Sequence, residues 1–498
     1  MERDDLHREV YRTQGKLTSC FGYDAMGRKA WQFASNLPAD KLSQVHNTGI
    51  NTSLLVEHAY NPIHRRYQYD PAGELVRTLD KLRGEIKYEY EANGQLRGRD
   101  TGSLVGSEEF RYDPAANRLD FNARQFDKVK DNRIKQWRDQ EYRYDPWGNL
   151  IEKRSGHSKL QSFAYDCENR LVRAETLVNG KLESRGDYRY DSLGRRVAKQ
   201  AEINGEVEQK RFLWQGLRML REETPRQSIL YLYEPGSYAP LARVDQAEGE
   251  EQKVYYFHTD QIGTPLELTD SDGKIVWQAT YRSWGAIDGL LVKNVEQNIR
   301  FQGQYFDSES GLNYNVFRYY DPELGRFIGQ DPIGLQGGDN LYRYSPNPIK
   351  WVDPLGLMPL ANPVSVGHHM VPHSLATSLG ITPFNSFNNV PSMFWLESGQ
   401  WNEIEHSAMH GYNGIGAGTK SVVTMNAFKA EGLTNEKWLQ SLEAHYNNPE
   451  LANLRGDLRI IENGNPGRII AANVSPAEAW EATKKWARSQ GAAMPGCS

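Results

Sequence analysis

The chain has 498 residues, a formal net charge of −5, 27 tyrosines and three cysteines, Cys20, Cys167 and Cys497, with no C-x-x-C pair. That length calls for two or more domains, and the cysteine spacing excludes a disulfide scaffold or a cysteine-based zinc site. There is no global basic field to draw nucleic acid, no apolar run near the roughly 20 residues of a membrane span, and no signal-peptide core in M-E-R-D-D-L-H-R-E-V-Y-R.

From the start to about residue 300 one unit recurs. Its copies are Y-Q-Y-D-P-A-G-E-L from Tyr67, Y-E-Y-E-A-N-G-Q-L from Tyr88, F-R-Y-D-P-A-A-N-R-L from Phe110, Y-R-Y-D-P-W-G-N-L from Tyr142, F-A-Y-D-C-E-N-R-L from Phe163 and Y-R-Y-D-S-L-G-R-R from Tyr188. Each opens with alternating aromatics, whose period of two puts them on one face of a strand. The aspartate then opens a turn, Gly or Asn takes the position needing φ > 0, and Leu or Arg starts the return strand. Several copies lie about 20 residues apart, the spacing of one hairpin per repeat. A hairpin alone cannot bury its aromatic face, so the pattern predicts a stack of neighbours. Irregular spacing and the lack of a four-strand period argue against a propeller.

Residues 301–357 begin F-Q-G-Q-Y-F-D-S-E-S-G-L-N-Y-N-V-F-R-Y-Y-D-P-E-L-G-R-F-I-G-Q-D-P-I-G-L and end N-P-I-K-W-V-D-P-L-G-L. The motif D-P-x-G-L thus occurs twice, at Asp331–Leu335 and Asp353–Leu357. Taken alone it is a turn sequence. With the repeats before it and an unrelated composition after it, the tract resembles the core of Rhs (rearrangement hotspot) proteins and the shells of insecticidal Tc toxins. That resemblance implies a mainly β YD-repeat spiral shell, a cocoon, over 1–300, a plug and autocleavage segment over 301–357, and a toxin domain over 358–498. It also implies an intramolecular aspartyl protease cutting the Leu357–Met358 bond, with Asp331 and Asp353 as its pair. Two carboxylates brought within a few ångströms share a proton, so the charged one can activate water while the protonated one polarises the scissile carbonyl. Arg326 either tunes that pair or, on the plainer reading, stacks on aromatic shell residues. Members of the family carry more repeats and an N-terminal docking region, which implies a secretion-system spike or adaptor, as in type VI secretion, engaged through a missing upstream region.

After Met358 the repeats stop. N-E-K-W-L-Q-S-L-E-A-H-Y and S-P-A-E-A-W-E-A-T-K-K-W-A-R-S-Q have helical periodicity, and Ser475 with Glu478 forms a capping box. Six of the chain's twelve histidines fall in this tail. His368 and His369, in G-H-H-M-V-P, are adjacent and so point to opposite faces of a strand. His406 and His410 are i and i+4, on one helical face where both reach one ion. Between them lies the asparagine-rich F-N-S-F-N-N-V-P.

This order resembles the ββα-metal motif of HNH/endonuclease VII nucleases, more narrowly the GHH-type nuclease toxins, and implies a small α+β domain. Carried over to these positions, His368, His406 and His410 are ligands of a divalent ion: Mg²⁺, Zn²⁺, Ni²⁺ or Mn²⁺, among which sequence does not choose. His369 is the general base and Asn389 orients it, with Asn388 or Asn385 as alternatives. His373, Arg455 and Arg459 are candidates to contact phosphate, with Arg468 and the Lys/Arg group at 484–488 in the same patch. His445 reads as helix surface. Against a duplex-DNA substrate stands the tail's charge, nine Lys/Arg and eleven Asp/Glu, because positive charge drives such binding.

Together the resemblances imply an interbacterial toxin, made in the bacterial cytoplasm and secreted. Its shell would enclose a metal-dependent nuclease acting on nucleic acid, DNA ahead of RNA, in the target-cell cytoplasm. A cognate immunity protein would protect the producer. The alternative is a YD-repeat carrier or surface protein, as in eukaryotic teneurins, with a binding tail or a toxin of other chemistry. The missing H-x-E with P-C-x-x-C signature argues against a zinc deaminase.

Overall fold

In the computed structural model the chain divides into two compact units, residues 1–234 with 238–362, and residues 363–498 with 235–237. The structure describes residues 2–3, 8–24, 26–37, 42, 60–119, 129–357, 359–361, 368–369, 391–395, 456–462, 465–489 and scattered positions between 439 and 449. The tract at 301–357 belongs to the same unit as the repeats. That unit runs on to residue 362 because Trp351–Val352 pairs with Leu360–Ala361.

The repeats form antiparallel ladders in chain order, nine strands from Glu2–Arg3 to Glu108–Glu109 and fifteen from Gln136–Trp137 to Ile287–Lys293. No four-stranded blade recurs among the described repeat strands, so a propeller is excluded. The ladder is interrupted between Glu109 and Gln136. Among the described residues there, Arg111–Tyr112 pairs with Arg118–Leu119 and Val129–Lys130 with Arg133–Ile134, each a two-stranded sheet.

Each repeat turns in the same way. The aspartate carboxylate accepts the backbone N–H four residues on: Glu74 on Asp70 and Asn149 on Asp145 at 2.8 Å, Arg170 on Asp166 and Arg195 on Asp191 at 3.0 Å. The residue just before has positive φ, 85° at Gly73 and 60° at Asn169, which Gly and Asn tolerate. Register slips at the second aromatic, Tyr69, Tyr144, Tyr165 or Tyr190, a bulge that strengthens the twist. The first aromatic, Tyr67, Tyr142, Phe163 or Tyr188, is buried. In four copies the second aromatic turns its hydroxyl to the carbonyl of the leucine that opens the preceding return strand, and Tyr69 donates to Lys29 O at 3.0 Å. Tyr90 donates to Leu75 at 2.6 Å, Tyr112 to Leu96 at 2.7 Å, Tyr165 to Leu150 at 2.8 Å and Tyr190 to Leu171 at 2.6 Å. Each such bond is worth about 1 kcal/mol net.

The tract after residue 300 leaves this ladder. Tyr305–Asp307, Leu312–Asn315, Arg318–Asp321 and Arg326–Phe327 make a separate four-stranded sheet. Its Leu312, Tyr314, Tyr319 and Ile328 pack against Tyr142, Leu150, Phe163 and Tyr188 of the repeats. Buried ion pairs fasten it: Arg196 to Asp307, Lys199 to Asp307 (2.9 Å) and Glu309 (3.0 Å), and Lys153 to Asp321 (2.8 Å). Early and late repeats also meet, since Arg65 and Arg83 both hold Glu267 and Lys16 N–H donates to Ser271 O at 2.9 Å.

The second unit contains a sheet of His368–His369, Pro391–Trp395, Gly456–Glu462 and Asn465–Val474 in that order, then the helix Pro476–Ser489. The capping box forms as its sequence predicts: Ser475 N–H donates to Glu478 Oε2 at 2.7 Å and Glu478 N–H to Ser475 Oγ at 3.3 Å. Ala479, Trp480, Thr483 and Ala487 make the buried face of that helix.

Candidate cleavage site and tail site

The two D-P-x-G copies converge on one guanidinium. Arg318, opening the strand Arg318–Asp321, places Nη2 3.0 Å from Asp331 Oδ2 and 3.4 Å from Asp353 Oδ2. The Arg318, Asp331 and Asp353 side chains are 3, 4 and 1 % exposed. Each aspartate spends its other oxygen on its own turn. Asp331 Oδ1 accepts Ile333 N–H at 3.0 Å, and Asp353 Oδ1 accepts the N–H groups of Gly356 and Leu357, both at 2.9 Å. The turn chemistry is as the sequence predicts, and it leaves the second oxygen of each pointing at the same cation.

The segment 353–357 is gripped along its backbone. Asn315 Nδ2 donates to Asp353 O at 2.7 Å, Phe317 N–H to Leu355 O at 3.1 Å, and Arg318 Nε to Gly356 O. Gly303, in F-Q-G-Q, permits this approach: a Cβ there would overlap the Pro354 carbonyl oxygen. Arg318 is itself fixed, its Nη1 donating to Leu341 O at 3.0 Å and its Cζ 3.7 Å from the centre of the Phe327 ring. Asp331 Oδ2 and the Leu357 carbonyl oxygen both border Gly337. Met358 lies outside the described residues.

Burial raises the Asp353 carboxyl to about 6, against the pull of Arg318 and the Leu357 and Gly356 N–H groups, and the Asp331 charge adds to the rise. Burial also raises Asp331, with Arg318 opposing it. Arg318 is drawn below the usual guanidinium range by burial, and both carboxylates resist that. One cation does not offset two dry carboxylates fully, so the pair takes up a proton more readily than solvated aspartates do. A protonated carboxyl beside an ionised one is what aspartyl hydrolysis requires.

Arg326 does not take part. Its Cζ stands 4.9 Å from the Tyr342 ring centre, and it donates to Asn117 Oδ1 at 3.3 Å and to Asn132 O, which is the stacked arrangement of the plainer reading. Arg318 was the residue to look for. In the structure R-Y-Y-D is a strand buried at all four positions, where a cation must find a buried counter-charge, but no sequence period marks it.

In the second unit His368 pairs with Met393 and His369 with Ser392 across an antiparallel ladder. The partner strand, Pro391–Trp395, starts two residues after Asn389. Asn389, His373, His406, His410 and Arg455 lie outside the described residues, as do Asn385, Asn388 and His445. Arg459 is partly exposed and holds Asp457 Oδ2 at 3.1 Å. Lys484 is buried between Glu443 (3.0 Å) and Glu481 (2.6 Å), an internal ion pair rather than a free cation of the expected phosphate-binding patch.

Residues 68–350 match the family model described as Teneurin YD-shell, and residues 364–491 the one described as Toxin protein PT1. Double-stranded DNA deaminase toxin A of Burkholderia cenocepacia (strain H111) is 42% identical over 381 residues, covering 72% of this chain and 26% of its own. RhsA of Dickeya dadantii (strain 3937), named a probable deoxyribonuclease, is 32% identical over 307 residues, covering 59% of this chain and 21% of its own. The chain thus spans about a quarter of the length of these curated relatives. Among solved structures, the Photorhabdus luminescens Tc holotoxin pore aligns over 72% of this chain and 19% of that chain, with a TM-score of 0.50 and 18% identity, a likeness of fold.

Proposed function

This chain belongs to the teneurin YD-shell family, as an Rhs polymorphic toxin, and from that premise we propose that it cuts itself after Leu357 and so detaches a C-terminal nuclease from the repeat shell. The observation that carries the cleavage is the convergence of both D-P-x-G carboxylates on Arg318. Water adds to the Leu357 carbonyl carbon and gives its proton to the ionised carboxylate, while the protonated carboxyl donates to the carbonyl oxygen. The C–N bond then breaks, a proton passes to the Met358 nitrogen, and Leu357 is left with a new carboxylate. Asp331, which borders the same glycine as the Leu357 carbonyl oxygen, is the member proposed to polarise it, and Asp353 is the proposed base. Arg318 holds both in place and limits their rise.

On a denaturing gel the wild-type chain should run as two fragments, with mass spectrometry placing the new C-terminus at Leu357. Asp331→Asn or Asp353→Asn should leave one full-length band. Cleavage that persists in both variants rules out the pair. An intact wild-type chain would reduce the two motifs to turns.

For the tail we propose phosphodiester hydrolysis with a divalent ion. In support, the sheet sets the His368–His369 strand beside the one that follows the asparagine-rich stretch of sequence, and the two relatives above carry names that specify DNA. His368, His406 and His410 would hold the ion, and imidazole donors suit Zn²⁺ or Ni²⁺ better than Mg²⁺ or Mn²⁺. Once bound, it would supply Lewis-acid stabilisation of developing charge. His369 accepts the proton of the attacking water and Asn389 orients its ring. Plasmid nicking, with EDTA and His369→Ala as controls, tests this. Base conversion without strand breaks would favour deamination, the activity in the first relative's name. A cognate immunity protein, a secretion spike or adaptor, and action in the target-cell cytoplasm complete the proposal.

A further inference from the structure

Gly337 ends a short 3-10 turn, Gly334–Gly337, just after the first D-P-x-G copy. Its neighbours Gly334 and Gly338 have φ of 60° and 124°, but Gly337 itself is not in the left-handed region. The backbone therefore gives no reason for glycine at this position. The surroundings do. A Cβ at 337 would overlap Asp331 Oδ2, stand 3.0 Å from Asp331 Cγ and 2.7 Å from the Leu357 carbonyl oxygen. These are the carboxyl and the scissile carbonyl of the proposed cut. Neither group is free to retreat: Asp331 is held by Ile333 N–H and Arg318, and Leu357 N–H by Asp353.

We propose that Gly337 is a positioning residue for self-cleavage, its bare α-carbon leaving open the approach between the Asp331 carboxyl and the Leu357 carbonyl. Any side chain there fills that approach and stops the cut while every carboxylate remains in the chain. The inference rests on the cleavage reading above and adds a requirement to it.

The test is cell-free synthesis of the full chain, following loss of the full-length band across a range of pH. Wild type is compared with Gly337→Ala, Asp331→Asn and Gly311→Ala. Gly311 has φ of 74° with nothing within 4 Å of a Cβ, so alanine there strains the same tract without touching the pair. Gly337→Ala should slow cleavage by about a hundredfold, the scale of an ångström of misplacement, whereas Gly311→Ala should cleave like wild type. Residual cleavage in Gly337→Ala should be fastest at higher pH, because a carboxyl pushed off Arg318 titrates higher.

Melting midpoints supply a second readout should the single variant fold poorly. Gly337→Ala should lower the midpoint when Asp331 is present and lower it less in an Asp331→Ala background, where the obstructed atoms are gone. Wild-type cleavage rates in Gly337→Ala, or equal drops in both backgrounds, overturn this inference and leave the cleavage reading standing. A wild-type chain that never cuts, or an Asp331→Asn chain that does, overturns both.

Discussion

Replacing Arg318 with methionine removes the one cation shared by the two carboxylates and keeps most of the side-chain volume. At 3.4 Å from Asp353, a unit charge in an effective dielectric near 20 is worth about 5 kcal/mol. The Asp353 carboxyl, at about 6 with Arg318 present, should then rise further, because the cation that opposes the effect of burial is gone. Asp331, whose rise Arg318 also opposes, moves the same way. Both carboxyls of the variant hold their protons more tightly, less of the base is ionised at neutral pH, and cleavage should fall by about a hundredfold or more, within what ~5 kcal/mol allows. Raising the pH restores cleavage in the variant. Wild type gains nothing there, since its base is already ionised. Breaking a buried pair also costs about 3–5 kcal/mol of stability, so thermal melts accompany the gel time courses. Wild-type cleavage at neutral pH in Arg318→Met would refute the reasoning. So would a loss that stays flat as pH rises in a folded variant.

The remaining predictions concern the same site and the tail. In uncleavable Asp331→Asn protein, burial still holds the folded-state pKa of Asp353 above its unfolded value though the Asp331 charge no longer adds to the rise, so its contribution is fully present at low pH and is lost as pH rises through the folded pKa. The loss is at most about 3 kcal/mol. Urea melts at several pH values should show it, and adding Asp353→Asn should flatten it. Gly303→Ala, at φ 80° and overlapping the Pro354 carbonyl, should cost about 2–3 kcal/mol and slow cleavage. Gly180→Ala, at φ 76° with open space around it, should show only the backbone penalty, and equal effects on cleavage would discount the contact. In the tail, His369→Ala should abolish metal-dependent nicking yet leave metal affinity by calorimetry largely intact, whereas His368→Ala or His410→Ala should weaken both.

The repeat was readable in sequence because everything that shapes it is local. The aspartate, the positive-φ residue three positions on and the alternating aromatics all sit within nine residues, as at Tyr67–Leu75. The Ser475 capping box was legible for the same reason. Arg318 was not, since its counter-charges lie 13 and 35 positions away and no period links them. Arg326 sits in an equally aromatic setting, and only the fold settles which arginine meets the carboxylates. Long-range fastening such as Lys199 to Glu309, 110 positions apart, is silent in sequence because a lysine in an alternating strand looks solvent-facing until another segment covers it. His406 and His410 are expected as ligands from their spacing alone, and both lie outside the described residues.

The tyrosine-to-leucine bond between successive repeats, Tyr165 on Leu150 and Tyr190 on Leu171, bears on how such an array can grow. A unit that makes this bond presents one hydroxyl backward and one carbonyl forward. Inserting a whole unit therefore uses one open position and creates another of the same kind, with no mismatch passed along the chain. A fragment of a unit would shift the bulge and put the hydroxyl opposite the wrong residue. Length is thus quantised: the array tolerates addition or loss in hairpin-sized steps and resists anything smaller.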